Sequence, residues 1–137
     1  MAVIEELIRL ENDGSISFGN YLASEKKKVL DFDVQGDLYK VKTFSEITKL
    51  EKNGKMLIEV VPGATVHNFV LNSKGANFAV EGNEDVQITL ELEPTSEYKI
   101  LIDEMNVGKV KTNMAGKVTF SAELGNRKPK VRVEKIG

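Results

Sequence analysis

Apolar and polar residues alternate along most of this chain with a period of two. In Val86-Gln-Ile-Thr-Leu-Glu-Leu92 the apolar Val86, Ile88, Leu90 and Leu92 fall on one face and Gln87, Thr89 and Glu91 on the other. Successive side chains of a strand point to opposite faces, so this pattern describes a strand buried on one side. The same period returns in Val118-Thr-Phe-Ser-Ala-Glu-Leu124 and, over a shorter stretch, in Val131-Arg-Val133. No long helical spacing interrupts it.

Turn chemistry divides the alternation into hairpins, and each register can be tested by whether the apolar faces agree. Asn53-Gly54 predicts a two-residue turn that sets Leu50 opposite Leu57 and Ile47 opposite Val60. Gln35-Gly36 pairs Phe32 with Tyr39, Leu30 with Val41 and Asp31 with Lys40. A loop at Asn72-Ser-Lys-Gly75 places Phe69 across from Phe78, Leu71 from Ala76 and His67 from Val80. Asn12-Asp-Gly14 sets Leu10 against Ile16 and Ile8 against Phe18. Further turns are expected at Asn106-Val-Gly108, Asn113-Met-Ala-Gly116 and Gly125-Asn126, which leaves short strands at the spacing of sandwiches and barrels.

Two segments also fit a helix. Ala2 to Leu10 has apolar residues at 4, 7 and 8, and Thr43-Phe-Ser-Glu46 has the form of a capping box. The hairpin registers account for the same residues with better pairing, so strand is the reading for both. Val61-Pro62-Gly63 is the one candidate boundary between two lobes, and a single domain over 1–137 is preferred, because lobes of about 60 residues bury little surface alone. Lys26-Lys-Lys28 reads as a solvated loop. The fold class that follows is all-β, an antiparallel β-sandwich with additional N-terminal hairpins.

Composition changes this picture mainly by exclusion. The chain has 137 residues, 41% hydrophobic and 29% charged, with a net charge of -2, so no broad field draws it towards polyanions. It has no cysteine, which removes disulfides, thiolate nucleophiles and Cys-ligated metals. Glu5 and Glu6 interrupt the N-terminal apolar residues, unlike a secretory leader, so a cytoplasmic location is expected. No stretch has the roughly 18 apolar residues of a membrane helix.

Leu92-Glu-Pro94-Thr-Ser96-Glu-Tyr98, followed by Val110-Lys-Thr112, resembles the Leu-x-Pro-x-Thr-x-Tyr pattern of fibronectin type III domains. The resemblance implies an immunoglobulin-like or fibronectin-like sandwich with a tyrosine corner, in which the Tyr98 hydroxyl bonds to nearby backbone. Ser96 stands where that family usually has Thr, and the chain has no tryptophan. The whole chain is also similar to a group of short proteins of anaerobic Gram-positive bacteria that often carry the label "endosialidase". The residues concerned are Ile4-Glu-Glu-Leu-Ile-Arg-Leu-Glu11, Gly14-Ser-Ile-Ser-Phe-Gly-Asn-Tyr21, Tyr39-Lys-Val-Lys-Thr-Phe44, Ile47-Thr-Lys-Leu-Glu-Lys-Asn-Gly54, Pro62-Gly63 and Val66-His-Asn-Phe69. Sialidases as a family use a propeller with Ser-x-Asp-x-Gly-x-Thr-Trp repeats and an arginine cluster. This chain has no such repeat and three arginines, Arg9, Arg127 and Arg132, so no catalytic residue carries over.

Candidate chemistry is sparse. Asp31 and Asp33 share a strand face at roughly 7 Å, a separation that an inverting glycosidase pair could use. The competing reading is a solvated face on which Asp31 pairs with Lys40. Asp31-x-Asp33-x-Gln35-Gly36 imitates half of an EF-hand loop, but the twelfth position is Lys42 rather than Glu. Glu81, Glu84 and Asp85 form an acidic turn that is a candidate for surface calcium. His67 is the only histidine and is expected to pack beside Phe69, Phe78 and Val80. Neither a Gly-x-Ser-x-Gly elbow nor a phosphate-binding glycine loop occurs. Arg127, Lys128, Lys130, Arg132 and Lys135 make the C-terminal strand basic, a candidate polyanion-binding run or the protection of an edge strand.

The function expected is therefore that of a non-enzymatic binding or assembly module without cofactor, acting on a protein partner or a second copy of itself. The alternative is a carbohydrate-active protein, either a glycan-binding module or a glycoside hydrolase using Asp31 and Asp33. Nucleic acid and membrane are not expected partners.

Overall fold

The period-two pattern becomes thirteen strands among the described residues, and the computed structural model describes residues 3–136. Met1 and Ala2, where the N-terminal reading begins, and Gly137 lie outside the described residues. In chain order the first strands are β1 (Ile8–Leu10), β2 (Ile16–Phe18), β3 (Lys27–Val34), β4 (Asp37–Phe44), β5 (Ile47–Lys52) and β6 (Lys55–Val61). They are followed by β7 (Thr65–Asn72), β8 (Gly75–Glu81), β9 (Val86–Glu91), β10 (Glu97–Ile102), β11 (Met105–Lys111), β12 (Lys117–Ala122) and β13 (Lys130–Lys135).

Two antiparallel sheets pack together as a β-sandwich. One has seven strands in the order β1-β2-β7-β8-β13-β10-β11, and the other six in the order β12-β9-β6-β5-β4-β3. The inward residues of both sheets form one core. Phe18, Val66, Val80, Tyr98 and Val131 come from the first sheet, and Val41, Leu50, Ile58, Ile88 and Leu90 from the second. Phe69 joins them, with its ring 5.9 Å from Phe18 edge-on and 5.7 Å from Phe78. Burial of Val86, Ile88 and Leu90, and of Val118, Ala122, Val131 and Val133, follows the expected faces.

The β1–β2 register is as expected, with Ile8 opposite Phe18 and Leu10 opposite Ile16. The strand begins only at Ile8, however, because residues 5–7 turn and the Leu7 N–H donates to the Ile4 carbonyl. Lys27 and Lys28 open β3 rather than lying in a loop. The three longer hairpins match near their turns and then slip by one residue. Phe32 faces Tyr39, but Val29, not Leu30, faces Val41, since Leu30 and Asp31 form a bulge and Asp31 has φ 56°. Lys52 faces Lys55, but beyond the bulge Leu50 faces Ile58 and Thr48 faces Val60. Leu71 faces Ala76, but a bulge at Asn68 (φ 55°) sets His67 opposite Ala79 rather than Val80. A bulge adds one residue to one strand and so reverses which side chains point inward beyond it. Alternation on either side of the extra residue looks the same in the sequence.

The turn expected at Asn106-Val-Gly108 is displaced. The chain reverses at Asp103-Glu104, both with positive φ, and Asn106 to Gly108 belong to β11 beside a bulge. The passage from β9 to β10 crosses between sheets, and there Tyr98 Oη accepts the Glu93 N–H at 3.2 Å. Thr112 supports the same corner, its hydroxyl donating to the Glu93 carbonyl at 2.6 Å while accepting the Ser96 N–H at 2.9 Å. The passage from β6 to β7 runs through the cis Val61-Pro62 bond. Ala64, just after it, is tied to the other sheet by Thr48, whose hydroxyl lies 2.7 Å from the Ala64 carbonyl and 2.8 Å from Thr43 Oγ1.

Candidate functional site

The acidic candidates do not come together. Asp33 closes its own turn by accepting the Gly36 N–H at 2.9 Å, and Asp31 sits exposed in the β3 bulge. The slip in register takes Asp31 out of the even alternation that would align it with Asp33. Glu81 faces His67, Asp85 accepts the Leu124 N–H at 3.2 Å, and Glu84 is exposed. Among the described residues no group of His, Asp and Glu is disposed to hold a metal ion.

His67 is buried, but not beside Phe69, Phe78 and Val80. The Asn68 bulge turns it to the outer face of the seven-stranded sheet, where its Nε2 lies 2.7 Å from Glu81 Oε1. Tyr21 is close enough that the Glu81 charge adds to burial in pushing its hydroxyl above the ordinary range. His67 also lines a cleft of about 310 Å³ of mixed character, with Asn68, Asn77, Ala79, Glu104 and Arg132.

The basic C-terminal run is not an edge. β13 lies between β8 and β10, and acidic neighbours answer its charges. Arg132 Nη2 donates to Glu104 at 2.9 Å, and Lys135 Nζ donates to Glu93 at 2.9 Å. Arg132 Nε lies 2.8 Å from Glu134 Oε1 without hydrogen-bond alignment. The backbone N–H of Lys130 donates to Asp103. Lys128 is exposed, and Arg127 stands at the rim of the opening between β11 and β12.

That opening is a mostly apolar cleft, and spacing did not single it out. β11 ends one sheet and β12 ends the other, and a cleft of about 550 Å³ lies between them. Ile100, Ile102, Val110 and Phe120 line it. Gly108, paired with Ile100, contributes no side chain, and the space its Cβ would occupy is open. Met105 and Val107 at the rim are 71% and 57% exposed. Single apolar residues on a surface are ordinary, whereas several around an apolar cleft mark a contact surface.

A second surface lies on the outer face of the six-stranded sheet. Register places Lys28 directly opposite Lys42, and Lys42 directly opposite Lys49, on three neighbouring strands. Burial pulls the half-buried Lys42 ammonium below its ordinary range, and the charges of Lys49, Lys26, Lys28 and Lys40 pull it further. The sequence shows these lysines far apart, so only strand pairing gathers them.

No helix among the described residues is long and apolar enough to cross a membrane. Family models, curated proteins and solved structures offer no match to this chain.

Proposed function

We propose that this chain is a binding and assembly module that associates with a second copy of itself across the β11–β12 opening. The observation that carries the reading is the exposure of Met105 and Val107 on the rim of an apolar cleft at an uncovered sheet edge. The charges of the same strand favour a copy of the chain as occupant. Asp103 and Glu104, the latter exposed though also paired with Arg132, stand at one end of β11, and Lys109 and Lys111 at the other. Two copies placed side by side about a two-fold axis near Val107 run antiparallel, so the acidic end of each lies along the basic end of the other. Such self-complementarity is what an isologous interface requires. The Gly108 N–H already donates to Asn106 Oδ1 at 3.0 Å.

The absence of native cysteine allows a direct test. Val107→Cys is expected to form a disulfide-linked dimer on mild oxidation, and Leu30→Cys, at a comparably exposed leucine on the far edge, is not. In sedimentation equilibrium the wild type should dimerise reversibly, and Val107→Glu should weaken the dimer at least tenfold. A strictly monomeric wild type up to hundreds of micromolar, or crosslinking through Leu30→Cys alone, overturns the proposal.

A further inference from the structure

We infer that the outer face of the six-stranded sheet binds single-stranded nucleic acid, with phosphates on the lysine row of β3, β4 and β5 and bases on the apolar row beside it. The row Lys28–Lys42–Lys49 is fixed by register, and neighbouring strands are about 4.8 Å apart. Like charges directly opposite one another across strands destabilise a sheet. Alternation gives any outward position a free choice of polar residue, so three lysines in line keep a cost that folding does not need. Lys49 has acid on two sides, Glu51 at 3.6 Å on its own strand and Glu59 directly opposite on β6, so the row ends there, and Lys28 and Lys42 face only lysine across the strands.

The row two residues along the strands supplies the other half of the site. Phe44 is paired with Ile47, both half-buried and outward. Thr48 pairs with Val60, so Val61, 43% exposed, continues this row on β6. A basic row parallel to a row with an aromatic and two aliphatic side chains is the arrangement that holds a polynucleotide by its backbone while its bases rest on the sheet. A purely electrostatic ligand would have no use for the second row. This site is separate from the β11–β12 edge, and its test does not depend on dimerisation.

The experiment is fluorescence anisotropy with a labelled fifteen-nucleotide oligothymidylate and the full chain, over a range of salt. Each phosphate contact on a single strand contributes about -0.7 to the slope of log K against log salt, so three contacts predict a slope of about -2. Lys28→Ala/Lys49→Ala should weaken binding at least tenfold at low salt and flatten the slope by about 1.4. Phe44→Ala should weaken binding several-fold and leave the slope unchanged. Lys128→Ala/Lys130→Ala should alter neither. Lys42→Thr should raise the melting temperature while lowering affinity, which separates a lost site from a damaged fold. No binding in 50 mM salt, loss equal in the Lys128/Lys130 control, or binding of heparin or anionic vesicles but not of the oligonucleotide would overturn the inference.

Discussion

Thr48 offers the sharpest test of how the two sheets are joined. Its side chain is fully buried, as are Thr43 and Ala64. At 2.7 Å the Thr48 hydroxyl can only donate to the Ala64 carbonyl, which has no proton to give. The 2.8 Å contact with Thr43 must then be donated by Thr43, and Thr48 Oγ1 also accepts the Ala64 N–H at 3.1 Å. Thr48 thus satisfies three buried groups with one oxygen, and Thr43 keeps its own lone pair for the Asn20 N–H at 2.9 Å. Thr48→Val preserves shape and leaves all three without a partner. At the lower half of the roughly 1–3 kcal/mol typical of a buried unsatisfied group, and less about 1 kcal/mol recovered by the new methyl, three such groups cost about 2–5 kcal/mol. That is a large part of the roughly 5–15 kcal/mol that holds a domain folded. Thr119→Val removes a hydroxyl of the same kind from the exposed pair with Thr89 and should cost within about 0.5 kcal/mol. Urea titrations with unchanged m-values measure both. A loss below about 1 kcal/mol for Thr48→Val, no larger than for Thr119→Val, would refute this hydrogen-bond assignment.

Two further outcomes follow from the same structure. A Cβ added at Gly75 falls on the Val133 carbonyl oxygen of the neighbouring strand, at a backbone φ of 136°, whereas one at Gly54 (φ 82°) meets open space. Gly75→Ala should therefore lose about 3 kcal/mol in calorimetry and Gly54→Ala about 1 kcal/mol, so equal losses would contradict the close approach of β8 to β13. The Ser17 hydroxyl, and next Arg9, hold the Glu11 carboxyl below its ordinary value of 4.5. A depressed folded pKa contributes stability that is complete above the unfolded value and lost as pH falls through the folded one. Wild type should accordingly lose stability below pH 4.5 more steeply than Glu11→Gln, and Ser17→Ala should raise the Glu11 carboxyl pKa read by NMR, while parallel acid limbs would count against this pairing.

What could be read from residue order alone was local. Period-two alternation identified the strands at Val86, Val118 and Val131 and their inward faces, because burial on one side leaves its mark on every second residue. Asn53-Gly54, Gln35-Gly36 and Asn12-Asp-Gly14 located their turns for a similar reason, since few residues adopt the backbone that those turns need. Asp103-Glu104 was hidden, because glutamate carries no turn signal and Asn106-Val-Gly108 carries a misleading one. The bulges at Asp31, Leu57, Asn68 and Val107 were hidden too, and two of them altered the candidate chemistry: one misaligned Asp31 with Asp33, and another turned His67 outward.

Strand order was decided only in three dimensions. β13 reads as a basic edge, yet it lies inside its sheet, where Glu93 and Glu104 from other segments stand beside its charges. Lys28 reads as part of a solvated loop and nothing in residue order groups it with Lys42 and Lys49, yet the three align because three strands pair in that register. The edge strands β11 and β12 carry no sign of their position in residue order, and only the assembled sheets leave them uncovered. Alternation records which side of a strand is dry, a property of each residue and its near neighbours. Which strands stand beside one another depends on the joint packing of segments distant in sequence, and both proposed surfaces arise there.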